Sequence, residues 1–323
     1  MTRVALSLCL MQCLAMAAET HAAPVYPSRP IRIVNPYAPG GITDLVSRVL
    51  AQRVAEAWGQ PVIVDNRPGA GSAVGTEIVV RAQPDGYTLL CTTPAVVINP
   101  SFYPKLGLNP VKDLVPVVLV ARVDTAFAVH PGVTARSVKE LIALARAKPG
   151  QIFFASAGTG TSTHLSLELF KTMAGVDLPH VPYKGGGPAL IDVVGGQVQG
   201  IVNPLAGVLP HARTGRLRAL AVTGAKRSEL AADLPTIAEA GVPGYDATAW
   251  SALFAPRATA PAIVEKWNSE TNRVLGIPEV RQSLLAAGMT PIGGTAQEFA
   301  PYFAREAVRW PELVRTAGIT VGQ

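Results

Sequence analysis

Residues Ile31 to Asp44, Ile-Arg-Ile-Val-Asn-Pro-Tyr-Ala-Pro-Gly-Gly-Ile-Thr-Asp, restrict the fold of this chain more than any other stretch. Ile31, Ile33 and Val34 read as a short apolar strand. Asn35 and Pro36 stop it, because proline has no N–H for a sheet ladder. Pro39-Gly40-Gly41 gives a loop with little side-chain bulk. Thr43 and Asp44 then open a helix whose apolar stripe is Leu45, Val46, Val49, Leu50 and Val54. The first amides of such a helix have no intrahelical acceptor and carry partial positive charge. Behind two glycines they can hold an anion on backbone groups alone. An ordinary strand-to-helix turn is the other reading of the same residues.

The pattern recurs along the chain. Pro61–Asp65 reads as a strand, Asn66–Gly71 as a loop, and Ser72 starts a helix through Arg81. The strand Tyr87–Cys91 runs into the loop Thr92–Pro94. Further on, Ile152–Ala155 is followed by Ser156-Ala-Gly-Thr-Gly-Thr-Ser-Thr-His164 and a helix through Met173. Strands separated by helices and short loops predict parallel α/β sheets with ligands beyond the C-terminal strand ends. Two extended runs break the rhythm, Leu114–His130 and Ala247–Ala255, and they read as crossings between two sheets. Residues 27–124 with 248–323 are therefore expected to form one lobe and 125–247 the other. Leu234–Gly241 is expected to be a short helix, and Pro261–Leu275, Pro278–Ala287 and Gln297–Ala317 longer ones.

Residues 1–22 read as an export signal: Arg3, an apolar Val4–Ala18, and cleavage near Ala22, which places the mature chain in the periplasm. Cys9 and Cys13 would leave with it. The remaining Cys91 lies in a strand-like run and reads as a buried, inert thiol. Net charge is +6, but only 15% of residues are charged, and they are scattered. No basic run is interleaved with aromatics, which argues against nucleic acid and leaves anionic small molecules or a membrane surface as partners.

The two glycine-rich loops offer backbone amides and the hydroxyls of Thr43, Ser156, Thr159, Thr161, Ser162 and Thr163, a donor set suited to a carboxylate. For bond breaking the nearest base is His164. It is either a helix-start histidine bonded to a loop carbonyl or the partner of Ser156 or Ser162 in a hydrolase, and the hydrolase lacks a carboxylate. No histidine has metal-ligand spacing, and no P-loop or nucleophile elbow occurs. Gly158-Thr-Gly160 is half of a dinucleotide fingerprint, with threonine at the third glycine position. Asp44 is a helix-dipole acid, or it accepts from a ligand amine or orients water. Arg67 is a surface ion-pair partner or captures a carboxylate.

Seven segments in order carry a resemblance: Asn35–Asp44, Asn66–Gly71, Pro84–Leu90, Ser156–Thr161 with His164, Leu165 and Glu168, Val181–Ala189, Arg216–Val222, and Leu234–Thr236 with Glu239. Together they resemble the solute receptors of tripartite tricarboxylate transporters, the Bug receptors, over nearly all of the mature chain. The resemblance implies a two-lobed periplasmic binding protein of type II, each lobe a mainly parallel sheet flanked by helices. It implies a small organic carboxylate gripped between the two loops, partly through ordered water, with no catalysis, metal or cofactor. Ligand-binding residues are then Tyr37, Gly40, Gly41, Thr43, Asp44, Ser72 and Thr93 on one side. On the other they are Ser156, Gly158, Thr159, Gly160, Thr161, His164 and Asn203. A monomer whose closed form meets membrane permease subunits is expected, and a sensing receptor for a signalling partner is the rival. Three positions depart from the family pattern. Ser72 stands for a third glycine, Asn203 for a common aspartate, and Ser251–Pro261 for the usual segment after Trp250.

Overall fold

The computed structural model describes residues 26–183 and 185–316, so the expected signal and its cleavage near Ala22 lie outside the described residues. The first sheet contains β1 (Ile31–Asn35), β2 (Val62–Asn66), β3 (Thr88–Thr92), β4 (Leu114–Val123), β10 (Ala249–Pro256) and β11 (Met289–Pro291). The second contains β5 (Thr125–Val129), β6 (Phe154–Ser156), β7 (His180–Pro182), β8 (Gly200–Pro204) and β9 (Arg218–Val222). Between the strands run α1 (Ile42–Trp58), α2 (Ala73–Val80), α3 (Ala95–Phe102), α4 (Pro110–Asp113), α5 (Val138–Ala147), α6 (Ser162–Ala174), α7 (Gly186–Val194) and α8 (Leu205–Arg213). Three more, α9 (Pro261–Leu275), α10 (Pro278–Ala286) and α11 (Ala296–Thr316), follow β10.

The strand orders are β11-β4-β10-β3-β1-β2 and β7-β6-β8-β5-β9. Both sheets thus repeat one plan: second strand, first, third, a guest strand, fourth. The guests are β10 and β5, each arriving from the other sheet and each antiparallel to both neighbours. Of the remaining pairs, β1–β2, β1–β3, β6–β7 and β6–β8 are parallel, and the edge strand β11 is antiparallel to β4. Direction follows from connectivity. Asp124 alone separates the end of β4 from the start of β5, and Thr125 pairs with Pro204 at the end of β8. The C-terminal strand edges of the two sheets therefore meet at the crossing, and a strand that enters there must run away from that edge.

Asp124 is 6% exposed and bonded from both sides of the crossing. It accepts from Arg122 Nε at 2.8 Å, Thr290 Oγ1 at 3.3 Å and Ser228 Oγ at 2.5 Å. Ile31, Ile33, Val46, Leu50 and Val54 bury the inward stripe of α1 against β1. The helix stops at Gly59, whose φ of 65° is a left-handed conformation that glycine adopts at no steric cost. Trp250 and Trp310 are both buried and both donate to the buried Glu306.

One expectation needs correction, and one helix carries no sequence signal. Leu234–Gly241 forms turns, not a helix. Thr236 and Glu239 do make a reciprocal capping box at 2.9 and 3.1 Å. It opens no helix because Gly241 at φ +124° and Pro243 end the segment within one turn. The helix α3 was not legible. Its apolar run Ala95–Ile98 is buried all round and has no polar face to give it a period.

Candidate functional site

At the first elbow, α1 begins on Gly41, which has no side chain to cap the helix. The first intrahelical bond is Leu45 N–H to Gly41 O at 3.0 Å, so the amides of Ile42, Thr43 and Asp44 precede it uncapped. Gly40 and Gly41 are exposed, while Thr43 and Asp44 are buried. The site thus offers backbone donors at the surface and keeps its side chains behind them.

Asp44 is the clamp of this elbow. One carboxylate oxygen accepts from Gly40 N–H at 3.0 Å and Arg48 Nε at 2.8 Å. The other accepts from Asn66 Nδ2 at 3.0 Å and lies 3.5 Å from Asn35 Nδ2. Burial pushes its pKa up, but the Arg48, Gly40 and Asn66 donors outweigh that and hold it at about 2. With four donors already in place, the acid fixes the loop and has no lone pair to spare for a ligand amine. Asn66 also holds Tyr37 O at 3.0 Å, which leaves the phenol to meet Thr93 Oγ1 at 2.6 Å. Burial raises the Tyr37 pKa.

Ser72 has φ +102°, which explains why glycine suits this position. The serine is kept there by Asn99, whose Nδ2 donates to Ser72 Oγ at 2.8 Å and to Gly71 O. Nearby, Gly75 lets α2 lie directly on the strand end. A Cβ there would come within 2.7 Å of Pro36 Cβ and 2.9 Å of Pro36 Cα. Gly75→Ala is therefore expected to cost about 1–3 kcal/mol through overpacking, read as a lower urea midpoint. An unchanged midpoint would show that Pro36 and the elbow yield freely.

The second elbow uses up its own glycine amides. Gly158 N–H donates to Ser156 Oγ at 3.1 Å, and Gly160 N–H donates to His164 Nδ1 at 3.1 Å. Thr161 caps α6 through its hydroxyl, which accepts from His164 N–H at 3.4 Å and donates to Gly158 O at 2.7 Å. Ser156, Gly160 and His164 are buried, whereas Thr159 is exposed and Gly158, Thr161 and Ser162 partly so. Thr159 faces outward. Ser156, Gly158, Gly160 and His164 shape the loop from behind.

His164 accepts from a loop amide and makes no bond to a loop carbonyl. Ser156 Oγ meets His180 Nε2 at 2.6 Å, so the imidazole beside the serine is His180. The two imidazole rings stack at 3.9 Å. Burial, with the neighbouring imidazole and Lys171 adding to it, pulls the His164 pKa down to about 3, and burial and Lys171 pull His180 to about 4. Ser156 has no exposed surface from which to attack a substrate.

Phe102, at the end of α3, lies beside the second elbow. A Cβ on Gly160 would lie 3.3 Å from its ring. Neither Phe102 nor His180 carried a sequence signal, since each acts through a contact made only on folding. Arg67 pairs with Asp65 at 2.8 Å on the surface, and Asn203 is buried at the end of β8. Among the described residues no cluster of three or more potential metal ligands occurs, and no helix is long and apolar enough to cross a membrane.

Known proteins share this fold. A family profile described as the tripartite tricarboxylate transporter family receptor matches residues 46–319. Protein BugT of Bordetella pertussis is 37% identical over 320 residues, 98% of each chain. The solved structure of R. palustris Rpa4515 with adipate is 38% identical, with a TM-score of 0.80 over 91% of this chain and 99% of that one. MatC from Rhodopseudomonas palustris, solved with bound malate, is 31% identical, with a TM-score of 0.76 over 90% of this chain and all of that one, 100%. These relatives are solute-binding receptors, not enzymes. The chain belongs to the tripartite tricarboxylate transporter receptor family.

Proposed function

We propose that this receptor captures a small organic carboxylate between two lobes, one built on each sheet, and delivers it as a monomer to membrane permease subunits from the periplasm. The observation that carries this reading is the uncapped start of α1 at an exposed glycine pair. Three amides with a helix dipole behind them form an anion site that requires no basic side chain. Asp44 supports the reading too, since its saturated carboxylate holds the loop and leaves the outer face free of negative charge. The adipate and malate bound to the two relatives are carboxylates of this size.

The lobes would hinge at Asp124 and at the second crossing before β10. Micromolar capture needs about −8 kcal/mol, which a few charge-assisted hydrogen bonds and lobe closure supply. The test is a native mass spectrum of freshly purified protein, followed by calorimetric titration with adipate and malate. A carboxylate adduct, or binding at micromolar concentration, is the expected result. Protein that binds neither anion and carries no acid would overturn the reading.

A further inference from the structure

The start of α7 lies against the second elbow. Gly185 N–H donates to Ala157 O at 3.0 Å, and a Cβ on Gly158 would come within 2.8 Å of Tyr183 O. The helix begins on Gly185, which offers no side-chain acceptor, so the Gly186–Gly187 turn is uncapped. Asn203 reaches this turn from the end of β8. It is 4% exposed, and its Oδ1 has no hydrogen-bond partner among the described residues. That oxygen occupies the space that a Cβ on Gly186 would need.

An acceptor buried without a donor costs about 1–3 kcal/mol. The arrangement points to a donor that arrives with the ligand, and three polar groups can be compared there. A carboxylate suits the positive end of α7 but turns its lone pairs on Asn203 Oδ1. An ammonium supplies the missing proton but faces the same positive helix end, and a neutral amide does not offset its charge. A hydroxyl does both tasks, donating to Oδ1 and accepting from the uncapped amides.

We propose that Asn203 and the Gly185–Gly187 turn form a hydroxyl-reading corner of the cleft, so that the preferred ligand is a hydroxylated carboxylate. The proposal rests on the carboxylate reading above and adds to it the group at the ligand's other end.

The test pairs each hydroxylated acid with its deoxy counterpart at two spacings: malate against succinate, and 6-hydroxyhexanoate against hexanoate. Calorimetric titration of the full mature chain is expected to show at least one pair in which the hydroxyl tightens binding about tenfold or more. Asn203→Leu is expected to bring that ratio close to one, and Gly186→Ala to do the same by displacing the amide. Circular dichroism checks that both variants fold. If both members of each pair bind equally in the wild-type protein, the corner does not read a hydroxyl, and the carboxylate reading stands. A ratio that survives both folded variants overturns the assignment to Asn203. If none of the four acids binds, the corner falls, while the carboxylate reading stands or falls on adipate and on any acid that co-purifies.

Discussion

Gly41→Asp is expected to weaken carboxylate binding about a hundredfold or more while leaving the fold as stable as before. The residue at the start of α1 has φ −83° and ψ 175°, an extended conformation that any L-residue adopts. A Cβ there would meet only Ala38 O, at 3.9 Å. Aspartate at this position would turn its carboxylate onto the amides of Thr43 and Asp44, as a helix-capping acid does. That gains a few tenths of a kcal/mol over glycine and fills the site with a tethered anion. A ligand carboxylate must then displace the tether or sit beside a like charge, and a hundredfold loss corresponds to about 2.7 kcal/mol. Gly41→Ala is the control. It adds bulk without an acceptor and should keep affinity within about threefold, since alanine neither caps nor repels. Calorimetry with the acid that the wild-type protein binds best measures both variants. An aspartate variant with wild-type affinity would place the ligand's acid group somewhere other than the first elbow.

How much of this was readable beforehand depends on the range of each interaction. The strand, loop and helix of residues 31–58 are fixed by local chemistry: a proline that cannot pair, two glycines and an apolar stripe of period 3.6. Such signals survive in one dimension. What surrounds Asp44 does not. Asn66, which claims one of its oxygens, is 22 residues away, and nothing in either neighbourhood marks the pair. The same holds for Ser156 and His180, 24 residues apart, brought together because β6 and β7 pair in parallel. Reading the glycines of the second loop as donors to a ligand follows from composition, and only the fold shows their amides turned onto Ser156 and His164. The turn at Thr236–Glu239 is the opposite case, a correct local motif that the following glycine and proline keep from propagating.

The buried histidine pair makes acid stability the second large effect. His164 titrates near 6.5 when unfolded and is pulled to about 3 in the folded protein. Between those values the unfolded chain binds the extra proton, so stability is fully present above pH 6.5 and is lost as pH falls toward 3. From pH 7 to pH 5 the loss from this one side chain is about 2 kcal/mol. His180, pulled to about 4 and less deeply buried, adds a smaller share in the same direction. Asp44 enters lower. Its folded pKa of about 2 against 3.8 unfolded removes stability only as pH drops through that interval. The windows therefore separate, and urea midpoints at pH 7, 5 and 3.5 resolve them. His164→Asn keeps an acceptor for the Gly160 amide but cannot take a proton. It should lose markedly less stability than the wild type between pH 7 and 5, and resume falling with it below pH 3.8. Equal losses in the two proteins between pH 7 and 5 would mean that the imidazole is not held neutral beneath the elbow. Binding by the folded protein should instead hold through this window and fail only as pH approaches 3, where Nδ1 takes a proton, can no longer accept the Gly160 N–H, and the loop that presents Thr159 loses the bond that shapes it.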